Sequence, residues 1–426
     1  MVLKKIKKLF KKEEKNSNPF IAREEKYMAQ NYKPIPVVLG RGAGSKVWDT
    51  NGNEYLDFLS AYSAVSAGHS NSRILQAMKD QLDRLDVPSR AFYNDRLGEF
   101  AEKLCNFTGM DMMLPMNTGA EAVETAIKAA RRWGYRVKRI PKDMATILVS
   151  EGNFHGRTTT IVGFSTDEEY KSDFGPFDNG FKAVPYGDLE ALDKALSDPN
   201  VCAYLTEPMQ GENGIIIPER GWLKNVQKLC KKHNVLLILD EIQTGIGRTG
   251  RDFAFQHEID KPDGLLLGKA LGGGVYPVSA FLARRDVMEL FEPGSHGSTF
   301  GGNPVAAAIG IEALDILREE KLADKSFRMG NYLIDELTDI KGDADGAIIE
   351  VRGAGLWVGV EFDPNRISAR QFCELLKQKG VLAKETKKTV VRFAPPLTIS
   401  REEIDFALEK IRETLTELGV LEVPVV

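Results

Sequence analysis

The chain has 426 residues, of which 42% are hydrophobic and 28% are charged, and its formal net charge is −4. This composition is typical of a globular protein with one or two buried cores, and the slight acidity argues against nucleic-acid binding as the main role. No apolar run is long enough to cross a bilayer, so we expect no membrane span. The four cysteines lack paired spacing and the five histidines are scattered, which predicts free thiols in a reducing compartment and no bound metal. We expect a cytoplasmic location, and the mitochondrion is the alternative.

The first segment of the chain, Met1–Lys15, is rich in Lys and contains two Glu but no Arg or Ser. A transit peptide would favour Arg and Ser and would avoid acidic residues. We therefore predict a solvated extension over residues 1–20. Weak binding to an anionic surface is the alternative.

Residues 35–58 contain two alternating apolar runs around Asn51-Gly52. This pattern predicts a β-hairpin, because the dipeptide accepts the backbone conformation of a tight turn. The nearby stretch Gly40–Gly44 resembles a glycine-rich phosphate loop only superficially, since no helix is predicted after it. We interpret it as a flexible turn.

From Met113 onward, short apolar runs typical of strands alternate with amphipathic helical patterns. Such alternation predicts an α/β fold with a mostly parallel sheet sandwiched by helices. A long helix, Val305–Leu322, then leads into a remainder with α+β character. We therefore predict a small domain formed by residues 21–109 and 307–426, and a large domain formed by residues 110–306.

Two of the predicted strands end at residues that can carry chemistry. The run Val235–Leu239 is followed by Asp240, and the run Leu265–Leu267 is followed by Gly268 and Lys269. Ligands of open α/β sheets lie beyond the carboxyl ends of parallel strands, so the acid and the amine are predicted to face one crevice. A carboxylate beside a pyridinium nitrogen and a lysine that forms a Schiff base are what pyridoxal 5'-phosphate (PLP) requires from a protein. The alternative is that both residues merely terminate strands.

Two loops carry candidate phosphate-binding residues. Gly119 lies at a predicted strand-to-helix junction, where unpaired N–H groups favour a bound phosphate. Asn117 and Thr118 could instead simply cap that helix. Ser298 and Thr299 precede another predicted helix, where their hydroxyls could hold a phosphate or belong to an ordinary helix entry.

Two further segments contain candidate substrate-binding residues. Phe154 and Arg157 lie in a loop after a predicted strand, where the ring could stack on a flat cofactor and the guanidinium could bind a carboxylate. The alternatives are a core position for Phe154 and a solvated surface position for Arg157. Arg392 lies within the apolar run Val390–Pro396 and needs a charged partner if it is buried. An exposed edge position is its alternative.

Residues 27–415 resemble the class III (fold type I) PLP-dependent aminotransferases. The blocks that contain Asp240 and Lys269 are specific to the class, and the blocks that contain Tyr62 and Arg392 favour its ornithine branch over its acetylornithine and 4-aminobutyrate branches. The resemblance implies a large domain with a mostly parallel seven-stranded sheet and a small α+β domain. The matching segments are Asn31–Val37, Leu59–Val65, Ser89–Asn94, Leu114–Gly119, Gly152–Phe154, Glu207–Glu212, Asp240–Gly245, Leu267–Leu271, His296–Thr299 and Arg392–Pro396.

The resemblance also implies PLP as the cofactor. It makes Lys269 the lysine that binds PLP covalently and moves the proton. It makes Asp240 the acid that keeps the pyridine nitrogen protonated, because a nearby anion raises the pKa of a cation. The other implied cofactor-binding residues are Gly119, Ala120, Phe154, Gln243, Ser298 and Thr299. Thr299 is implied to act across a subunit boundary, so a twofold homodimer with shared active sites is expected, and assembly beyond the dimer is left open.

The implied reaction transfers the terminal amine of L-ornithine to 2-oxoglutarate. The products are glutamate and glutamate-5-semialdehyde, which cyclises to pyrroline-5-carboxylate. In this scheme Tyr32 and Arg157 hold the α-carboxylate of ornithine while Glu212 masks Arg392 with an ion pair. For 2-oxoglutarate the pair opens, Arg392 takes the α-carboxylate and Arg157 takes the distal one. Tyr62 completes the implied substrate-binding set.

One departure from the ornithine pattern lies near the expected site: His155 stands where animal members of the family have Trp. The competing interpretations are another ω-aminotransferase, a PLP-dependent racemase and a non-catalytic binding protein with the same fold. A racemase does not need two arginines that bind substrate carboxylates in alternation. The presence of both Lys269 and Asp240 argues against a non-catalytic protein.

Overall fold

The computed structural model describes residues 18–422. The predicted solvated extension lies almost entirely outside these residues, and the first described helix begins at Pro19. Among the described residues, every helix is too short or too polar to cross a bilayer. Within the same range, no group of three or more His, Cys, Asp or Glu side chains is arranged to hold a metal ion.

The strands in the described part of the chain are β1 (Leu39–Ala43), β2 (Lys46–Asp49), β3 (Glu54–Asp57), β4 (Met112–Met116), β5 (Thr146–Ser150), β6 (Phe181–Val184), β7 (Val201–Thr206), β8 (Leu236–Asp240), β9 (Gly264–Leu267), β10 (Ser279–Ala283), β11 (Ile348–Gly353), β12 (Val358–Phe362), β13 (Val381–Leu382), β14 (Lys384–Thr386) and β15 (Val390–Phe393). The helices are α1 (Pro19–Tyr27), α2 (Ser60–Ser63), α3 (Ser72–Leu82), α4 (Leu97–Thr108), α5 (Gly119–Arg136), α6 (Thr159–Gly163), α7 (Glu168–Lys171), α8 (Leu189–Leu196), α9 (Trp222–Lys232), α10 (Arg285–Met288), α11 (Pro304–Glu319), α12 (Leu322–Asp343), α13 (Ala369–Gln378) and α14 (Arg401–Glu417). Short 3₁₀ segments cover Ala254–His257 and Lys269–Gly272.

The largest sheet has seven strands in the order β4-β10-β9-β8-β7-β5-β6. Neighbouring strands from β9 to β6 are parallel, whereas β10 is antiparallel to both β4 and β9. It follows that β4 runs in the same direction as β9, and that the carboxyl ends of all strands except β10 lie at the same edge. The predicted mostly parallel seven-stranded sheet is thereby confirmed.

Both faces of this sheet are buried, which explains its continuous apolar runs. In β8, Leu237 and Leu239 belong to one apolar cluster, and Leu236 and Ile238 belong to another. Successive side chains of a strand point to opposite faces, so the two clusters lie on the two sides of the sheet. Helices α9 and α11 contribute apolar residues to the first cluster and α5 contributes them to the second.

Two smaller sheets have the strand orders β1-β2-β3-β13 and β11-β12-β15-β14. Strand β13 pairs in parallel with β3, with Val381 opposite Leu56. The N-terminal and C-terminal segments therefore share a sheet, as expected for a small domain built from both, although the domain boundaries stay a prediction. The other sheet is antiparallel, and its inner strand β15 carries Arg392.

Two predictions for the N-terminal region have different outcomes. The hairpin at Asn51-Gly52 is confirmed, since β2 and β3 are antiparallel with Val47 opposite Tyr55. The interpretation of Gly40–Gly44 as a flexible turn is wrong, because most of this stretch belongs to β1, which pairs with β2. Strand β1 is an edge strand whose residues are mostly exposed, so it has no apolar pattern that the sequence could display.

Helix α12 packs closely against the loop between β11 and β12, and Gly330 makes this approach possible. A Cβ atom at Gly330 would overlap the backbone of Gly355. We expect Gly330→Ala to lower the free energy of unfolding by about 3 kcal/mol, because backbone atoms cannot rotate out of the way. Urea denaturation measures this change.

The matched control for this variant is Gly342→Ala in the same helix, where a Cβ atom would meet nothing within 4 Å. We expect this variant to gain about 0.5–1 kcal/mol from the higher helix propensity of Ala. Equal stability of the two variants would contradict the close approach of Gly330 and Gly355.

Candidate active site

The loops after five strands of the central sheet meet at one edge. Strands β4, β5, β7, β8 and β9 run in the same direction, so their carboxyl ends lie together. The loops that follow them line a cavity of about 210 Å³. Its lining residues are Gly119, Ala120, Phe154, His155, Gly156, Glu207, Asp240, Ile242, Gln243, Thr244 and Lys269. The predicted crevice is present, and it contains both the acid and the amine.

Lys269 lies two residues after β9, and its side chain is partly accessible from the cavity. Its φ angle of 44° is in the left-handed region, which costs a non-glycine residue on the order of 1 kcal/mol and is found mainly where the surroundings hold it for function. Burial lowers the pKa of the Lys269 ammonium, and the negative charges of Glu212 and Asp240 oppose only part of this effect. A lowered pKa enlarges the neutral fraction of the amine, which is the nucleophilic form.

Asp240 is the last residue of β8 and is buried. Its Oδ2 lies 2.7 Å from Nδ1 of His155, and its Oδ1 accepts a hydrogen bond from the N–H of Ile242 at 3.0 Å. Burial alone would lower the pKa of His155, but the hydrogen bond to Asp240 and the charge of Asp240 raise it overall. The charge-assisted pair fixes the orientation of Asp240. His155, noted from the sequence as a departure, thus contacts the acid.

The N-terminus of α5 forms one end of the cavity. Thr118 caps this helix: its Oγ1 accepts a hydrogen bond from the N–H of Glu121 at 3.3 Å, and Oε2 of Glu121 accepts one from the N–H of Thr118 at 2.8 Å. The capping alternative is therefore correct, but it leaves the first helical N–H groups, those of Gly119 and Ala120, without an intrahelical acceptor. A Cβ atom at Gly119 would lie 2.9 Å from Cδ1 of Ile242, so a larger residue here would require the Ile242 side chain to shift.

Glu207 joins two loops of the site. Its Oε2 accepts a hydrogen bond from the N–H of Phe154 at 3.1 Å, and its Oε1 accepts one from the N–H of Gly211 at 3.2 Å. Burial raises the pKa of this carboxyl to about 7, and the charge of His155 opposes the rise. A Cβ atom at Gly211 would overlap Oε1 of Gln243. Glycine at this position therefore leaves room for the Gln243 amide at the cavity wall.

Arg392 is 1% exposed, so the alternative of an exposed edge position is wrong. Its Nη1 donates a hydrogen bond to Oε1 of Glu212 at 2.8 Å, and its Cζ lies 4.9 Å from the ring centroid of Tyr62. Burial alone would raise the pKa of Glu212, but the charge of Arg392 and this hydrogen bond lower it overall. Tyr62 in turn accepts a hydrogen bond from Gln243, which lines the cavity, so the ion pair lies beside the cavity.

Tyr62 lies on a strained turn. All four residues of Ser60–Ser63 have a positive φ angle, from 47° to 73°. Each non-glycine residue in this region costs about 1–2 kcal/mol, so the turn persists only because its surroundings hold it. Oδ1 of Asp57 accepts a hydrogen bond from the N–H of Ser60 at 2.9 Å, and Nε2 of Gln243 donates one to the carbonyl of Tyr62 at 3.4 Å.

Phe154 lines the cavity and is half-buried, so its alternative as a core residue is wrong. Arg157 is exposed and stacks on an aromatic ring that the sequence did not single out, that of Tyr170. Tyr32 is 74% exposed and Thr299 is also exposed.

Ser298 lies close to the N-terminus of α5 without lining the cavity. Its Oγ accepts hydrogen bonds from Nδ2 of Asn117 at 2.9 Å and from the N–H of Gly301 at 3.0 Å. The binding roles of Tyr32, Ser298 and Thr299 stay predictions.

Three site residues were not assigned roles from the sequence: His155, Glu207 and Tyr170. His155 and Glu207 follow β5 and β7, so the rule that ligands lie beyond strand ends could have found them. Tyr170 offered no such signal, because it lies in the four-residue helix α7, far along the loop from β5.

Residues 27–415 match the family of class III aminotransferases. The chain therefore belongs to the class III aminotransferases, which are PLP-dependent enzymes. The residues present fit this cofactor: a lysine with a lowered pKa and a buried aspartate line one cavity, and free helical N–H groups lie at its end.

Individual relatives carry more specific names. The ornithine aminotransferase of Brevibacillus brevis is 54% identical over 399 residues, which cover 94% of this chain and 98% of that protein. The crystal structure of the ornithine aminotransferase from Toxoplasma gondii has a TM-score of 0.93 at 45% identity and covers 96% of both chains. The acetylornithine aminotransferase of Elizabethkingia anophelis has a TM-score of 0.86 at 46% identity and covers 95% of this chain and 100% of that chain. These structures confirm the predicted fold type I PLP-transferase fold.

Proposed function

We propose that this chain is an ornithine δ-aminotransferase, which transfers the terminal amine of L-ornithine to 2-oxoglutarate. The products are glutamate and glutamate-5-semialdehyde, which cyclises to pyrroline-5-carboxylate. The observation that carries the proposal is the ion pair between Glu212 and the buried Arg392 beside Lys269. The site therefore contains one guanidinium that is paired with a carboxylate, that of Arg392, and one that is exposed, that of Arg157.

This arrangement suits the two substrates because they differ at the reacting carbon. The terminal carbon of ornithine carries no carboxylate, whereas the keto carbon of 2-oxoglutarate carries one. A masked Arg392 leaves Arg157 and Tyr32 to hold the α-carboxylate of ornithine far from Lys269. When 2-oxoglutarate enters, Glu212 releases Arg392, which then binds the carboxylate next to the reacting carbon while Arg157 binds the distal one.

The residues around the cavity divide the chemical work. Bound PLP supplies an electron sink for the charge that develops when a proton leaves the substrate carbon. Nζ of Lys269 would bind the cofactor covalently, and as a free amine it would take the proton from the amine-bearing carbon and return it to the cofactor. Asp240 stabilises the positive charge of the ring nitrogen, and His155 holds Asp240 in place. Gly119, Ala120, Ser298 and Thr299 would hold the phosphate, Phe154 would cover the ring, and Gln243 would contact the ring hydroxyl.

Removing the charge of Glu212 should change which amine of ornithine reacts. In Glu212→Gln, Arg392 has no anion to mask it and attracts a carboxylate to the position beside the reacting carbon. We expect the ratio of kcat/KM for L-ornithine to that for L-glutamate, as amine donors, to fall by about tenfold or more, with part of the ornithine reacting at its α-amine. Single-turnover rates and product identification measure both effects.

The matched control is Glu361→Gln, because Glu361 pairs with Arg352 at 2.6 Å in the sheet that carries Arg392 but is not the partner of Arg392. This variant should keep the wild-type ratio. An unchanged ratio in Glu212→Gln would contradict the role of the ion pair in substrate choice.

The proposed activity is tested with a panel of amine donors against 2-oxoglutarate, followed by identification of the products. We expect L-ornithine to give pyrroline-5-carboxylate and glutamate at a higher kcat/KM than N-acetyl-L-ornithine or 4-aminobutyrate. The similarity to the acetylornithine enzyme makes N-acetyl-L-ornithine the most demanding competitor. A preference for it, or formation of only a D-amino acid, would reject the proposal.

We also propose that the enzyme is a homodimer in which Thr299 completes the site of the other subunit. Support comes from large apolar side chains that are exposed in the single chain: Phe92 is 70% exposed, Tyr93 is 98% exposed and Phe300, next to Thr299, is 52% exposed. Light scattering should give about twice the chain mass of 47.3 kDa. A cytoplasmic location remains part of the proposal, and its support is that the four cysteines, all within the described residues, form no disulfide.

A further inference from the structure

Arg157 is held by aromatic rings. Its Cζ lies 3.6 Å from the ring centroid of Tyr170 and 5.5 Å from that of Phe154. Within residues 18–422, the Arg157 guanidinium forms no hydrogen bond and no ion pair. A ring that covers the flat face of a guanidinium leaves the N–H edges free. Arg157 is therefore oriented and still able to bind a carboxylate through two parallel hydrogen bonds.

Tyr170 also contacts the wall of the cofactor cavity. Its ring packs edge-to-face against the ring of Phe154, with centroids 6.0 Å apart and an interplanar angle of 79°. Phe154 lines the cavity. One continuous set of contacts thus runs from the cavity through Phe154 and Tyr170 to Arg157.

The helix that carries Tyr170 is anchored to the sheet that carries Arg392. Asp167 caps α7 by accepting a hydrogen bond from the N–H of Glu169 at 3.0 Å. The other carboxylate oxygen of Asp167 lies 2.8 Å from Nζ of Lys387, which belongs to the turn between β14 and β15. The segments that hold the two arginines are therefore tied to each other by one ion pair.

On the basis of the proposed function, we propose that Tyr170 positions Arg157 for the distal carboxylate of both substrates and so favours substrates that carry one. The two distal carboxylates differ in position: the one in ornithine is one carbon further from the reacting carbon than the one in 2-oxoglutarate. An ion pair would fix Arg157 at a single distance. A ring face restrains the plane of the guanidinium but allows the guanidinium to move parallel to the ring. Arg157 can therefore bind the distal carboxylate of either substrate.

The test uses the PLP-loaded enzyme and two variants, Tyr170→Leu and Tyr170→Phe. The ligands are L-ornithine, 1,4-diaminobutane, which has the reactive amine of ornithine without its carboxylate, and glutarate, a dicarboxylate that cannot react. For Tyr170→Leu we expect kcat/KM for ornithine to fall about tenfold and the Kd of glutarate to rise about tenfold, with no change for the diamine. Tyr170→Phe keeps the ring, and the Tyr170 hydroxyl makes no hydrogen bond within the described range, so this variant should behave like the wild type.

The role of Tyr170 would be overturned by an unchanged Kd of glutarate in Tyr170→Leu, or by an equal loss of rate with the diamine. A loss in Tyr170→Phe as large as that in Tyr170→Leu would also overturn it, because the ring face is intact there. Failure of the proposed function gives a different result, since the wild-type enzyme itself would then not transfer the terminal amine of ornithine.

Discussion

Replacement of Lys269 by Ala is expected to lower the rate of amine transfer from L-ornithine by about 10³-fold or more. Lys269 supplies the amine that lines the cavity, and burial lowers its pKa so that a neutral nucleophile is available. Without it, the substrate carbon loses the base that takes its proton, and loss of a positioned general base costs about 10²–10⁴-fold. The cofactor also loses its covalent attachment. Stopped-flow measurement of the single-turnover reaction quantifies the loss.

The control for this variant is Lys232→Ala, which removes an exposed lysine that forms an ion pair with Asp193 at 2.9 Å. Exposed pairs of this kind contribute little to stability, so we expect wild-type activity. A Lys269→Ala enzyme that still turns over at a tenth of the wild-type rate would show that another group moves the proton.

Replacement of Asp240 by Asn should have the second-largest effect. The variant keeps the shape of the side chain and removes the negative charge that is proposed to face the cofactor ring nitrogen. We expect kcat to fall by about 10²–10³-fold, because a preorganised charge in a buried site stabilises the developing charge far more than it would in water. Steady-state kinetics with ornithine and 2-oxoglutarate provide the measurement.

His155→Asn serves as the comparison for Asp240→Asn. It removes the imidazole that lies 2.7 Å from Asp240 but leaves the carboxylate in the cavity. The loss should therefore be clearly smaller than that of Asp240→Asn. If the two variants lose activity equally, the role of Asp240 is to hold His155, and the assignment of charge stabilisation to the carboxylate is wrong.

The central sheet and the cofactor site could be predicted from the sequence because they depend on short-range patterns. Strands β8 and β9 are buried on both faces, so they appear as continuous apolar runs, and Asp240 and Lys269 lie at their carboxyl ends. The direction of parallel strands then places these residues at one edge without further information. At Thr118 the two alternatives do not exclude each other, because the helix cap leaves the N–H groups of Gly119 and Ala120 without an intrahelical acceptor.

Other features depend on contacts between distant segments. His155 reaches Asp240 across 85 positions of sequence, and Tyr170 meets Arg157 only because α7 folds back over the loop after β5. The partner of Arg392 could be inferred from the family resemblance but not from the strand itself. Helix α12 was not predicted, and its close contact at Gly330 depends on a loop 25 residues further along the chain.

The proposed chemistry requires one lysine and one aspartate that face the same bound PLP ring. Reduction of the PLP-loaded enzyme with borohydride, followed by peptide mass spectrometry, tests this claim most directly, because it fixes the cofactor to the amine that holds it. We expect the pyridoxyl label on the peptide that contains Lys269 and on no other. A label on a different lysine, or an enzyme that takes up no label when PLP is supplied, would contradict the account.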